Sequence, residues 1–210
     1  MPPKAKFTKR EIVEAATEIA EKSGIAAVTA REVGAALGVS SRPLFTYFDS
    51  VDDLKKEVYL FAKELYRKYI ERGLNDEIPF LGIWKQYIRF AKEKPELYKL
   101  LFLTPPGSVS GGAMEALKLS QELSRESLMK IYNMDSKRAD SYFRDMWLVA
   151  FSFATLIVTN DCPYTEEEMF AVGTEISLSI CKAYKEIPGL AEGRFDRDKI
   201  FRELVNKKTL

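Results

Sequence analysis

Ser41, Arg42 and Thr46 are the residues whose types and spacing most clearly indicate a chemical role in this chain. An arginine guanidinium can bond both acceptors on the major-groove edge of guanine, and a threonine can contact a thymine methyl group or a phosphate. They lie within residues 29–48, TAREVGAALGVSSRPLFTYF, a pattern that predicts two short helices joined by a tight turn. Such a pair inserts its second helix into the major groove of DNA.

The residues around this trio must position it. Gly34 leaves space where the two helices cross, and Gly38 tolerates the left-handed conformation that the turn requires. Ser40 suits the N-cap of the second helix, and Pro43 lies in its first turn, where a missing N–H costs little. The predicted inward residues are Val33, Leu37, Val39, Leu44, Tyr47 and Phe48, and the outward ones are Ser41, Arg42, Phe45 and Thr46.

A helical hairpin with a merely solvated outer face is the alternative interpretation, because such hairpins are common. The small residue, the turn glycine and the inward positions agree with one another and favour DNA binding. A basic N-terminal arm supports it, since residues 1–10 carry Lys4, Lys6, Lys9 and Arg10 and no acidic residue.

Composition excludes several other classes of protein. The chain has 210 residues, 46% hydrophobic and 30% charged, which is ordinary for a globular protein, and its net charge is only +1. DNA binding must therefore come from a local patch. Histidine is absent, which removes the commonest general base and metal ligand, so we expect no enzyme, no cofactor and no metal.

The cysteines and the apolar segments indicate a cytoplasmic protein. Cys162 and Cys181 lie in apolar, helical surroundings and are predicted to be structural buried thiols rather than a disulfide. No signal peptide is recognisable at the N-terminus, and no uncharged apolar run reaches about 18 residues.

Apolar residues follow a helical period nearly everywhere, which predicts an all-α fold of about nine to ten helices. Three helix starts share a capping-box pattern of Thr and Glu three residues apart, at Thr8, Thr29 and Thr165, and Ser50 with Asp53 is a weaker version. The predicted helices lie near 8–23, 30–37, 41–47, 51–72, 80–93, 95–103, 113–132, 136–161 and 165–186, with a short one from Asp196. We expect residues 1–50 to form a helix-turn-helix DNA-binding domain with its basic arm, and residues 51–210 to form a helical ligand-binding and dimerisation domain.

Residues 7–60 resemble the N-terminal domain of the TetR/AcrR family of transcriptional regulators, through the first helix, the GVSSRPLFTYF segment and the following DSVDDL. The resemblance implies an all-α homodimer that binds a palindromic DNA operator and is released by a small ligand. The chain departs from the family pattern at the start of the fourth helix. The family often has a phosphate-binding lysine at that position, whereas this chain has Val51 followed by Asp52 and Asp53. With the residue chemistry, the resemblance predicts DNA contacts by Lys4, Lys6, Thr29, Ser40, Ser41, Arg42, Pro43, Phe45, Thr46, Tyr47 and Lys55.

Two further sets of residues are predicted from the longer helices. Aromatic residues, Met and a few polar groups suit a site for a bulky, mostly apolar ligand, although ordinary core is the alternative for each residue. That set is Trp84, Tyr87, Phe90, Tyr98, Phe102, Met114, Leu117, Gln121, Trp147 and Phe151. An apolar face with small residues on the two helices at 136–161 and 165–186 suits a dimer interface, with intramolecular core as the alternative. Its residues are Tyr142, Met146, Ala150, Ala154, Ile157, Met169, Gly173, Ile176 and Ile180.

These features predict a ligand-responsive repressor whose partners are operator DNA, a small hydrophobic effector and a second copy of the chain, with no membrane partner. The alternative is a TetR-like helical protein that binds a ligand or another protein and binds DNA weakly.

Overall fold

The structure, a computed structural model, describes residues 7–190 and 192–206, and within them it contains nine α-helices and no β-strand. This confirms the all-α prediction. The α-helices are α1 (Lys9–Ser23), α2 (Ala30–Ala36), α3 (Val51–Leu74), α4 (Pro79–Glu93), α5 (Pro95–Tyr98), α6 (Gly112–Tyr132), α7 (Ser136–Val158), α8 (Glu166–Glu186) and α9 (Arg197–Asn206).

Threonine and serine caps fix where the helices begin, because their side-chain oxygens accept backbone N–H groups that have no partner inside the helix. Thr8 and Thr165 form complete capping boxes with Glu11 and Glu168. Thr29 accepts the N–H of Glu32. These N-caps lie at the predicted positions.

The predicted α-helix at 41–47 is wrong in type, because residues Arg42–Thr46 form a 3-10 helix, which we call the reader segment. Leu44 donates its N–H to the carbonyl of Ser41 at 3.2 Å, and Tyr47 donates to Leu44 at 3.0 Å. Ser41, not Ser40, is the N-cap, and its side chain makes no capping bond. The reader segment has only five residues, and Pro43 has no backbone N–H to donate. Short helical segments of this kind commonly adopt the tighter 3-10 geometry.

Two further helices differ from prediction at their C-terminal ends. The predicted helix at 95–103 is α5 followed by a π-helix at Lys99–Leu103, which ends where Thr104 donates both its N–H and its hydroxyl to the carbonyl of Lys99. Helix α7 ends at Val158 rather than at residue 161, and Asn160 adopts a left-handed conformation with a φ of 57°. Left-handed asparagine is a common way to end a helix.

Gly34 is the point of closest approach between α2 and the chain leading to the reader segment. A β-carbon built on Gly34 would lie 2.9 Å from the carbonyl oxygen of Val39 and 3.1 Å from the backbone nitrogen of Ser41. The following Gly38 has a φ of +66°, as the turn requires. Buried side chains from the surrounding helices complete this small core: Ile12, Ala16, Ala20, Val28, Val33, Leu44, Phe48, Leu54 and Val58.

The chain forms two compact units, and the first runs across the boundary predicted at Ser50. Within the described residues, it comprises 7–124 and 150–163, whereas the second comprises 125–149, 164–190 and 192–206. In the first unit, α1 contacts α2, α3 and α5, and α3 packs along α4. The helices predicted to read DNA are therefore part of a larger unit that also contains α4, α5 and the π-helix.

An aromatic cluster occupies the core of the first unit. The ring of Tyr98 lies 4.6 Å from that of Phe102, and Tyr66 lies 5.1 Å from Phe102 and 5.3 Å from Phe90. The hydroxyls are paired, Tyr66 with Ser120 at 2.6 Å and Tyr87 with Tyr98 at 3.1 Å. Burial raises the pKa of Tyr66 and the pKa of Tyr87 well above the usual value for tyrosine, and it raises the pKa of Tyr98 to about 12. All three hydroxyls therefore stay protonated at neutral pH.

The second unit is held by polar contacts between its helices as well as by apolar packing. Arg125 makes a bidentate ion pair with Asp140 at 2.8 and 3.1 Å, and the hydroxyl of Tyr142 lies 2.6 Å from that of Ser177. Among the described helices, α7 alone is long and apolar enough to cross a membrane by length and composition, and 44% of its most apolar stretch is buried. Core helices of soluble proteins commonly meet the same test.

Replacing Gly34 with alanine should destabilise the first unit. The added methyl group meets backbone atoms, which cannot rotate away, so we expect a loss of about 1–3 kcal/mol in the free energy of unfolding. Gly107→Ala is the matched control, because a β-carbon there meets nothing within 4 Å. Urea denaturation of both variants measures the difference, and equal stabilities would contradict the close approach.

The stability of the protein should fall in alkaline solution through its buried tyrosines. An unfolded tyrosine ionises near pH 10, whereas Tyr98 in the folded chain ionises near pH 12, so its contribution is fully present below pH 10 and is lost as the pH rises toward 12. Between pH 9 and pH 11, the free energy of unfolding of Tyr98→Phe should therefore fall by about 1 kcal/mol less than that of the wild type. Urea denaturation at each pH checks this, with Tyr164→Phe at an exposed position as the control; identical profiles for wild type and Tyr98→Phe would refute it.

Candidate nucleic-acid interface

The reader segment presents one face to solvent and buries the other. Arg42, Phe45 and Thr46 are exposed, whereas Leu44 and Phe48 are buried. Phe45 is 52% exposed, which is unusual for a phenylalanine and leaves its ring available for contact. These burials follow the predicted inward and outward positions, although the segment is a 3-10 helix.

Arg42 is the strongest candidate for reading a base. It lies at the first position of the reader segment, its side chain is exposed, and no ion pair within the described residues holds it. A guanidinium without a protein partner keeps all its donors for a ligand, and two of them match the acceptors of guanine. Thr29 and Ser40 are also exposed, and Ser41, Pro43 and Lys55 are half-buried.

Tyr47, which is predicted to contact DNA, has a hydrogen-bond partner inside the protein. Its hydroxyl donates a hydrogen bond to the backbone carbonyl of Phe7 at 2.9 Å, across 40 residues of sequence. Its ring is half-buried at the end of the reader segment. The donor that a phosphate would need is therefore already used inside the protein.

The basic arm is only partly within the described chain, because Lys4 and Lys6 lie outside the described residues. Lys9 bonds Glu57 at 2.5 Å and lies 5.5 Å from the centre of the Phe48 ring. Arg10 pairs with Glu14 at 2.7 Å. Both described cations of the arm thus have intramolecular partners.

The acidic start of α3 has a structural explanation at Asp53. Ser50 caps the helix, accepting the N–H of Asp53 and donating its hydroxyl to the Asp53 carboxylate at 2.7 Å. The Ser50 hydroxyl and the nearby Lys56 lower the pKa of Asp53, so it is ionised at neutral pH. A carboxylate in the first helical turn also interacts favourably with the helix dipole. Asp52 is exposed beside it and has no comparable role.

The charge balance of this region makes the arm important. Residues 7–58 contain seven Lys and Arg against nine Asp and Glu, a net charge of −2. Lys4 and Lys6 bring the total to zero. Because phosphates dominate DNA affinity, binding must depend on where individual cations are placed rather than on the overall charge. Arg31, exposed on α2 and missed by sequence reasoning, is one such cation, and its helical position after the Thr29 cap could have indicated it.

Most of the predicted ligand-binding residues lie in packed core. Trp84, Tyr87, Phe90, Tyr98, Phe102, Leu117 and Trp147 are buried, and Gln121 and Phe151 are half-buried. Met114 differs from the rest of the set, since it is 70% exposed. The Thr155 hydroxyl lies beside that of Tyr98 in the aromatic cluster. The buried amide oxygen of Gln86 on α4 has no hydrogen-bond partner within the described chain. A buried oxygen without a partner is unusual.

The predicted dimer-interface residues differ in exposure. Six of the nine are buried within the single chain: Tyr142, Met146, Ala150, Ala154, Met169 and Gly173. Ile157, Ile176 and Ile180 are half-buried. The exposed apolar residues on these helices are Leu148 on α7, at 50%, and Leu178 on α8, at 66%. Helical periodicity identified the apolar face, but it could not distinguish residues that face the chain's own core from those that face solvent.

Comparison with known proteins agrees with this geometry. Residues 12–58 match the family described as bacterial regulatory proteins, tetR family. The fold is similar to a Rhodococcus sp. RHA1 protein of unknown function, with a TM-score of 0.64 and 18% identity over 87% of this chain and 98% of that one. It is also similar to the fatty acid degradation regulator FadR from Bacillus halodurans, with a TM-score of 0.56 and 16% identity over 83% and 98% of the two chains.

A TetR family transcription regulator from Marinobacter aquaeolei VT8 has a TM-score of 0.51 and 12% identity, covering 82% of this chain and 94% of its own. Identities this low establish the fold alone. The family match covers the described helix-turn-helix from Ile12 to Val58, and the similarity in fold extends over most of the chain. Residues 12–58 of this protein are therefore a helix-turn-helix segment that matches the tetR family of bacterial regulatory proteins.

Proposed function

We propose that this protein is a transcriptional repressor that binds a palindromic operator as a homodimer and is released by a small, largely apolar ligand. The observation that carries the proposal is the reader segment, which presents Arg42 and Thr46 to solvent from a backbone fixed by Gly34 and buried Leu44. Exposed polar side chains on a rigid element beside a helix-turn-helix suit direct contact with base edges.

Dimerisation is supported by the exposed leucines of the second unit. Leu148 and Leu178 are large apolar side chains at the surface of α7 and α8, 50% and 66% exposed, on the two helices predicted to form the dimer contact. A symmetric contact through these helices would bury them. Two reader segments must then lie about 34–36 Å apart to enter successive major grooves.

Release by a ligand is supported by the position of the aromatic cluster in the first unit. Tyr98 and Phe102 belong to α5 and the π-helix, and α5 also contacts α1 of the DNA-binding region. Lys94 bonds Glu21 of α1 at 2.8 Å. A ligand that rearranges the cluster would therefore act on the segment against which α1 packs, and couplings of this kind are typically about 1–3 kcal/mol.

The chemistry of the cluster indicates an uncharged effector. Its polar groups are tyrosine, serine and threonine hydroxyls, and burial keeps the tyrosines protonated. An ionised ligand among these groups would lose its hydration without gaining an opposite charge.

A second candidate function is binding of a ligand or protein with only weak DNA affinity. The net charge of −2 over residues 7–58 and the exposed Asp52 favour it. A gel-shift assay with genomic fragments adjacent to the protein's own gene separates the two functions. A shift at low salt supports the repressor, and no shift by an intact dimer would leave the second function.

Arg42→Ala should reduce operator affinity by about 1–3 kcal/mol and relax specificity at one base position in each half-site. Arg42→Lys is the matched variant, because lysine keeps the charge but lacks the two-pronged geometry that guanine requires. It should retain non-specific binding and lose the base preference. Competition binding against operators with single substitutions measures both, and an unchanged preference in Arg42→Ala would refute the assignment.

The double variant Leu148→Glu/Leu178→Glu should be monomeric, because two carboxylates per chain would be brought together at the contact. Light scattering on a sizing column should give twice the 24.0 kDa chain mass for wild type and the single mass for the variant. Leu204→Glu is the control, since this leucine of α9 is 61% exposed and lies outside the two helices. A dimeric double variant would place the interface elsewhere.

A further inference from the structure

The hydroxyl of Tyr47 has a fixed partner inside the protein, and this changes what the residue can do at DNA. A tyrosine hydroxyl has one proton to donate, and phosphate oxygens only accept. That proton is directed at the Phe7 carbonyl at 2.9 Å. While this bond, which we call the arm anchor, is formed, Tyr47 has no donor for a phosphate.

We propose that Tyr47 is a positioning residue that holds the attachment point of the basic arm beside the reader segment, and that it is not a phosphate ligand. The inference rests on the proposed function, since it assigns the arm a part in operator binding. Phe7 is the residue to which Lys4 and Lys6 are joined through the chain.

Contacts at three consecutive residues, Phe7, Thr8 and Lys9, hold this attachment point in place. Besides the arm anchor, Thr8 is fixed as the N-cap of α1 by its reciprocal bonds with Glu11. Lys9 then reaches Glu57 on α3, and its ammonium group lies over Phe48, the residue that follows Tyr47. Residues 7–9 are thereby held against the end of the reader segment and against α3.

Distance and charge explain why the attachment point matters. Lys4 is three residues from Phe7, so its backbone reaches at most roughly 10 Å from the arm anchor. The range of electrostatic attraction at physiological salt is similar, about 8 Å. Lys4 and Lys6 therefore add favourable phosphate interactions only if the arm begins close to the DNA. Their two positive charges also offset the net charge of −2 that residues 7–58 carry.

The experiment is a double-mutant cycle on operator affinity between Tyr47→Phe and the pair Lys4→Ala/Lys6→Ala. Phenylalanine keeps the ring and removes only the donor. At low salt, Tyr47→Phe alone should weaken binding by about three- to tenfold, the range expected for one hydrogen bond. In the lysine-free background it should change affinity by less than about twofold, since the anchor then has no charge to position.

Each outcome decides the assignment. An equal loss in both backgrounds would show that Tyr47 contacts DNA directly, and no loss in either would show that the anchor has no part in binding. The dependence of affinity on salt concentration should become weaker in Tyr47→Phe, and weaker still in Lys4→Ala/Lys6→Ala. Tyr164→Phe is the control that removes an exposed hydroxyl elsewhere, and circular dichroism verifies that all variants fold.

A readout without DNA separates failure of this inference from failure of the proposed function. Trypsin cleaves after Lys6, next to Phe7, and the anchor restrains the backbone there. Tyr47→Phe should be cleaved at this bond at least about threefold faster than wild type, the lower end of the effect of one hydrogen bond. Equal cleavage rates would refute the anchor even in a protein that binds DNA, whereas faster cleavage in a chain that binds no DNA would refute the repressor function alone.

Discussion

The close approach at Gly34 is the constraint on which the reading geometry depends. With no side chain at this position, α2 lies against the backbone of Val39 and Ser41, and the reader segment leaves the turn at the angle that exposes Arg42. Buried Leu44 and Phe48 then fix the rotation of the segment. The outward direction of Arg42 therefore follows from the missing side chain at Gly34 and from the burial of Leu44 and Phe48. A side chain that is already oriented before binding loses less conformational freedom when it binds.

Positive charge is scarce in residues 7–58, the region proposed to bind DNA. Its described residues are net negative, and several of its cations are paired internally, Lys9 with Glu57 and Arg10 with Glu14. These pairs are at the surface and contribute little to stability. The Lys9–Glu57 pair joins the start of α1 to α3, whereas the Arg10–Glu14 pair lies within α1. Arg31 and Arg42 are exposed cations of this region.

Sequence reasoning predicted the elements well and their contacts less well. Local signals such as the Thr8 and Thr165 capping boxes fixed helix starts, because a cap depends on residues three positions apart. The 3-10 geometry at Arg42 and the π-helix at Lys99 were missed, since the apolar period is nearly the same in all helix types. The Tyr47–Phe7 bond and the burial of Tyr142 depend on residues 35 to 40 positions apart, which periodicity cannot register.

The central claim is that the reader segment recognises a specific DNA sequence in a symmetric dimer. Selection of bound DNA from a random-sequence pool by the purified full-length chain at low salt tests this most directly. The proposed function predicts enrichment of an inverted repeat whose half-sites are centred about one helical turn or a multiple of it apart, with a guanine at the same place in each half. A bound pool with the same composition as the input, or an enriched site without symmetry, would contradict it.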